Sequence, residues 1–99
     1  MTSLLSRLWR PRRRSAQLRV TVYTRAGCSC CHKALDLLKR YQRRHGFAIE
    51  EVDIDAAEDP ELRRRYDTLV PVVAVDGKVR FKGAVNPALF ERLLAAERG

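Results

Sequence analysis

Three cysteines fall within four positions of this chain, in Gly27-Cys28-Ser29-Cys30-Cys31-His32. Cys28 and Cys31 are three residues apart, so on a helix they lie on one face, one turn from each other. Two thiols at that spacing can pair, part and pair again by exchange with an outside disulfide. At the start of a helix, unpaired backbone N–H groups and the positive end of the dipole favour thiolate over thiol at Cys28. The guanidinium of nearby Arg25 pushes the same way. The expected roles follow: Cys28, exposed, attacks, and Cys31, set one turn deeper, resolves the mixed disulfide.

Metal binding is the competing chemistry. A zinc site takes four ligands, and Cys28, Cys30, Cys31 and His32 supply four candidate groups. Contiguous residues entering a helix do not all aim at one point. Cys30 points about 200° away from Cys28 on a helical wheel. No second C-x-x-C and no H-x-x-x-H follows. A metal or iron–sulfur cluster shared between two chains, with one or two thiolates from each, stays open beside the redox dithiol and a purely structural role. Cys30 reads as a third reactive thiol or as a small filler. His32 reads as a cation that steadies a thiolate or as a surface polar residue.

The elements that must position these thiols can be read on either side. Leu18-Arg-Val-Thr-Val-Tyr-Thr24 alternates and is β-branched, which predicts a strand, and Arg25-Ala-Gly27 is a short turn. From Cys28 to about His45, Cys31, Ala34, Leu35, Leu38 and Tyr41 recur at helical spacing, and Gly46 is a stop signal. Phe47 to Ile54 predicts a second strand. Asp59-Pro60 opens a short helix to about Tyr66. Val70-Pro71 breaks the chain, and Val72 to Val75 is apolar throughout, as suits a strand covered on both faces. Asp76-Gly77 is a hairpin turn to a strand over Val79 to Lys82. Asn86-Pro87 opens a last helix to about Glu97. The expected fold is α/β: βαβαββα, a four-stranded mixed sheet with helices on both sides, its first β-α-β unit parallel and right-handed. A C-x-x-C at a strand-to-helix junction inside such a unit is a much stronger redox signal than the motif alone.

Composition narrows the class. The 99 residues suffice for one domain with one core. Hydrophobic residues are 45% and charged residues 32%, and no apolar run approaches the roughly 20 residues of a membrane-spanning helix. Cysteines this close cannot clip distant loops, so a disulfide-stapled secreted scaffold is excluded and an intracellular, cytoplasmic thiol site is expected. The net charge is +8, of which +6 lies in residues 1–19, where Arg7, Arg10, Arg12, Arg13, Arg14 and Arg19 meet no acid. Residues 1–17 are therefore expected to be a basic, disordered tail, and 18–99 the folded domain. The tail also has the composition of a targeting segment or an anion-binding arm. No apolar stretch follows its arginines, which argues against a secretory signal.

Tyr23-Thr-Arg-Ala-Gly-Cys-Ser-Cys-Cys31, Val52-Asp-Ile-Asp55, Leu69-Val-Pro71-Val-Val and Asp76-Gly77 together resemble the glutaredoxin branch of the thioredoxin-like superfamily. The resemblance covers about residues 18–97. It implies a thioredoxin-like fold, a nucleophile at Cys28 and a resolving thiol at Cys31. It also implies a cis proline at Pro71, and a platform at Val70 whose backbone receives the bound thiol peptide as an added strand. Arg25 takes the place of a basic residue that meets the glutathione carboxylate. The implied activity is thiol–disulfide oxidoreduction on disulfide-containing proteins or small thiols, by a monomer with no bound cofactor. The implied co-substrate is glutathione or another thiol reductant, and no nucleic-acid partner is expected. Three departures stand out. The active-site turn is Cys-Ser-Cys-Cys without an aromatic. Leu69 precedes Val70-Pro71 where the family has threonine. Gly83-Ala-Val-Asn86 replaces the segment that holds the γ-glutamyl end, with Asn86 better suited to cap the last helix.

Overall fold

The structure, a computed structural model, describes residues 17–98. The expectations for the tail therefore fall, apart from Gln17, outside the described residues. Seven elements follow one another: β1 (Arg19–Thr24), α1 (Ser29–His45), β2 (Ala48–Asp53), α2 (Pro60–Tyr66), β3 (Val72–Val75), β4 (Lys78–Lys82) and α3 (Pro87–Arg98). The sheet order is β2-β1-β3-β4. β1 pairs in parallel with β2, from Arg19 opposite Ala48 to Thr24 opposite Asp53, and β3 lies antiparallel to both β1 and β4. This is the mixed sheet expected from the element order.

Side-chain alternation decides which face each helix covers. Val20 and Val22 of β1, with Val73 and Val75 of β3, meet Leu35, Leu38 and Tyr41 of α1 and Phe90 and Leu94 of α3. The opposite face carries the smaller cluster of Ile54, Tyr66 and Val72, with Leu62 of α2 packed against it. β3 is buried at all four positions because both faces are covered. Each of these apolar side chains gives roughly 1.5–3 kcal/mol on full burial. No helix among the described residues is long and apolar enough to cross a membrane.

Local signals explain most boundaries. Asp59 caps α2 by accepting the Glu61 N–H at 2.9 Å, with Pro60 at the first helical position. Asn86 caps α3 by accepting the Leu89 N–H at 3.1 Å. Gly46 closes α1, its N–H donating to the Gln42 carbonyl at 2.7 Å. Asp76 and Gly77 both have positive φ, 52° and 86°, as a two-residue type I′ turn between β3 and β4 requires. Strand ends shift by one residue from the expectation: β1 starts at Arg19 rather than Leu18, β2 runs Ala48–Asp53 rather than over 47–54, and β4 starts at Lys78 rather than Val79. Phe47 is a buried residue just ahead of β2. The β3–β4 register slips between Val73 and Ala74, since Val73 faces Phe81 but Ala74 faces Val79.

Candidate active site

β1 ends at Thr24 and α1 begins at Ser29. The four residues between them make a turn. The Cys28 N–H donates to the Arg25 carbonyl at 3.3 Å, and Gly27 has φ +76°. That is the position a type II turn reserves for glycine. The turn leaves Cys28 in extended backbone as the cap of α1, one residue before the helix proper. Cap side chains ordinarily offer an oxygen to the N–H two or three residues on. Here Sγ does that work: the Cys31 N–H donates to Cys28 Sγ at 3.2 Å. No acidic residue occupies the first turn of α1, so the sulfur alone answers the positive end of the helix.

Cys31 is only 2% exposed, while Cys28 is half-buried and Cys30 exposed. All three are free thiols. Burial pushes the Cys31 thiol up to about 11, helped by the hydrogen bond it makes to Cys28 and opposed by one with the Arg25 backbone. Cys28 Sγ thus lies against the Cys31 backbone at the helix start. Cys30 faces elsewhere, into a groove of about 540 Å³ shared with Lys33, Leu37, Arg40 and Val85. His32 is exposed. Among the described residues no group of three or more His, Cys, Asp or Glu side chains is arranged to hold a metal ion.

Val70 and Pro71 come immediately before β3, whose Val72 faces Tyr23 near the end of β1. This sets the Val-Pro segment at the end of the sheet from which the cysteine turn departs. The Val70–Pro71 peptide is cis, as the resemblance implies. The Gly83 N–H donates to the carbonyls of Leu69 (3.0 Å) and Pro71 (2.8 Å), on either side of Val70. The N–H and C=O of Val70 itself take part in none of these loop hydrogen bonds. Leu69 is 37% exposed, an apolar neighbour to that backbone.

Arg25 has a definite and unexpected environment. Its Nε and Nη2 donate to the two carboxylate oxygens of Asp55, at 2.8 and 2.9 Å. Its Nη1 donates to the Asp67 carbonyl at 2.8 Å and lies 2.6 Å from the Asp67 carboxylate. These bonds raise the Arg25 pKa, and in return Arg25 holds the Asp55 carboxyl below the usual carboxylate range. Sequence reasoning missed both partners. Asp55 stands inside the Val52-to-Asp55 motif, which is a pointer to position but says nothing of pairing. Asp67 carries no local signal.

The geometry defines a thioredoxin-like fold with two thiols paired at the start of its first helix. The chain belongs to the glutaredoxin-like domain family (DUF836), whose model matches residues 19–95. An uncharacterized protein of Mycobacterium tuberculosis is 34% identical over 62 residues, which are 60% of this chain. The chain spans only 64% of that relative's length. The solution structure of protein Ne2328 from Nitrosomonas europaea superposes with a TM-score of 0.68 at 25% identity, covering 79% of this chain and 92% of that one. The fold alone is shared with Fasciola hepatica thioredoxin, at a TM-score of 0.54 and 18% identity over 97% of this chain and 93% of that one. Membership in this family supports a redox-type function.

Proposed function

We propose that the protein is a thiol–disulfide oxidoreductase that reduces disulfides with the Cys28–Cys31 pair. The observation that carries the reading is the juxtaposition itself: a half-buried Cys28 sulfur that receives the backbone N–H of a buried Cys31. An amide aimed at Sγ is the donor that a sulfur anion needs.

The reaction runs in two exchanges. Cys28 attacks as thiolate on one sulfur of R–S–S–R′, an S–S bond to Cys28 forms, and R′S⁻ leaves. Cys31 then gives its proton to solvent and attacks Cys28 Sγ. The Cys28–Cys31 disulfide forms and RS⁻ is released, so two electrons pass from the dithiol to the substrate. Loss of charge on Cys28 in the mixed disulfide removes one of the influences that hold the proton on Cys31.

The substrate chain docks beside Val70 and Pro71, with the backbone N–H and C=O of Val70 accepting it as an added strand. A thiol reductant, glutathione or another, returns the disulfide to the dithiol. The cycle suits a reducing compartment such as the cytoplasm.

Single-cysteine variants test the reading. Cys28→Ser abolishes reduction of a disulfide substrate. Cys31→Ser leaves Cys28 able to attack but unable to finish, and the mixed disulfide accumulates as an adduct visible by intact-mass measurement. Full turnover by Cys28→Ser would refute the assignment.

A further inference from the structure

Arg25 is anchored by the way three chain segments end. The Ile54 N–H donates to the Thr24 carbonyl at 2.9 Å, which sets residues 25 and 55 side by side as β1 and β2 finish. Asp53 Oδ1 accepts the N–H of Asp55 at 2.8 Å and turns the chain beyond β2. Asp55 then meets the guanidinium edge with both oxygens, the fork geometry that arginine alone offers. From another direction comes Asp67, one residue past α2 and three before Val70. All three guanidinium nitrogens are engaged by this chain's own acceptors. Arg63 adds a second cation 3.9 Å from Asp55, so the charges here are balanced internally.

Arg25 also belongs to the cysteine turn, because its carbonyl receives the Cys28 N–H. One side chain therefore joins the turn that holds both thiols to the segment that leads into Val70 and Pro71.

Resting on the reductase reading above, we propose that Arg25 is a positioning residue rather than a receptor for a substrate carboxylate, and that the site therefore takes peptide or protein disulfides without preference for small acidic thiols such as glutathione. With its guanidinium committed to Asp55 and Asp67, the site offers such a ligand no unpaired cation at this position. What it offers is the Val70 backbone and the exposed side chain of Leu69, which recognise an extended peptide irrespective of its charge.

Two measurements on the full chain test this. The first compares reduction of one peptide carried as a mixed disulfide with glutathione or with 2-mercaptoethanol. The wild type handles the two within about threefold in kcat/KM. Arg25→Gln lowers kcat for both together by about tenfold, and Arg25→Lys fails to rescue, because an ammonium lacks the fork. A rise in KM confined to the glutathione-bearing substrate, with rescue by Arg25→Lys, would overturn the proposal. The second is an NMR titration with S-methylglutathione, which needs no turnover. The wild type shows no saturable shift at Arg25 below roughly 10 mM, and the Asp55→Asn/Asp67→Asn double variant binds at least about tenfold more tightly. Sub-millimolar binding by the wild type with shifts at Arg25 would sink the idea. If the wild type reduces neither mixed disulfide, the reductase reading fails, and the titration still decides the role of Arg25.

Discussion

The backbone N–H of Cys31 points at the sulfur of Cys28 from 3.2 Å. The buried cysteine thus holds the outer one through its main chain. The relationship follows from the turn that precedes it. The turn delivers Cys28 in extended backbone, and extended backbone is what lets a cap side chain fold back over the first helical turn.

Labelling should separate the thiols. With its pKa pushed up to about 11 from an ordinary 9.0, Cys31 keeps its proton across neutral and mildly alkaline pH. In the reduced protein it should be the last of the three cysteines to react with iodoacetamide, its rate climbing about tenfold per pH unit toward 11. Mass mapping of labelled peptides between pH 7 and pH 11 reads this directly. Early labelling of Cys31 at pH 7 would contradict the geometry.

The same shift has a stability counterpart. A raised pKa means that the folded state keeps a proton which the unfolded state releases near 9.0. The contribution is complete below that pH and is lost as pH rises toward about 11. The stability of the reduced wild type relative to Cys31→Ala, measured in urea, should therefore fall between those two values and be flat below them.

Gly27 isolates a backbone effect. A Cβ built there meets nothing within 4 Å, yet φ is +76°. Gly27→Ala should cost about 1–2 kcal/mol from conformation alone. Gly27→Asn should cost less, since asparagine visits this region more readily. Urea denaturation of the two variants gives the comparison.

Phe90 meets three other aromatic rings in the larger core, with ring centroids 5.2 Å from Tyr41, 5.8 Å from Phe47 and 6.3 Å from Phe81. It is fully buried. Phe90→Ala should lose about 3–5 kcal/mol, the range for an aromatic removed from a packed interior. A lowered urea midpoint with an unchanged slope is the expected signature.

Asn86 gives a test of its assignment as a cap. Its Oδ1 serves the Leu89 N–H, so Asn86→Ala should cost about 1 kcal/mol and Asn86→Asp only a few tenths. Neither should alter disulfide turnover by more than about twofold, which a coupled assay measures. A selective loss of turnover would instead make Asn86 a ligand contact.

Much of this architecture was legible in local patterns. The helical spacing from Cys31 to Tyr41 marked the buried stripe of α1 residue by residue. The Asp59-Pro60 and Asp76-Gly77 pairs located a helix start and a hairpin, because each encodes its own backbone conformation. The placing of Cys28 and Cys31 on one side of a helix start also followed from spacing. What spacing does not carry is a contact between distant segments. Arg25 and Asp55 are 30 residues apart and Arg25 and Asp67 are 42 apart. Their meeting depends on where β1, β2 and α2 all end, so Arg25 read in isolation looked like a free cation. The slip in register after Val73 was hidden for a related reason: Val79 to Lys82 looks like a regular strand until its partner is known.

The Gly83 amide that bridges the carbonyls of Leu69 and Pro71 is a main-chain group. Gly83 has φ +84°, a backbone shape that residues with a Cβ rarely adopt, so the brace asks for glycine at this one position, while side chains elsewhere in the loop can drift without touching it. A bench for incoming chains that is fastened by backbone can keep its form while the residues around it diverge, leaving the surrounding surface at liberty to specialise.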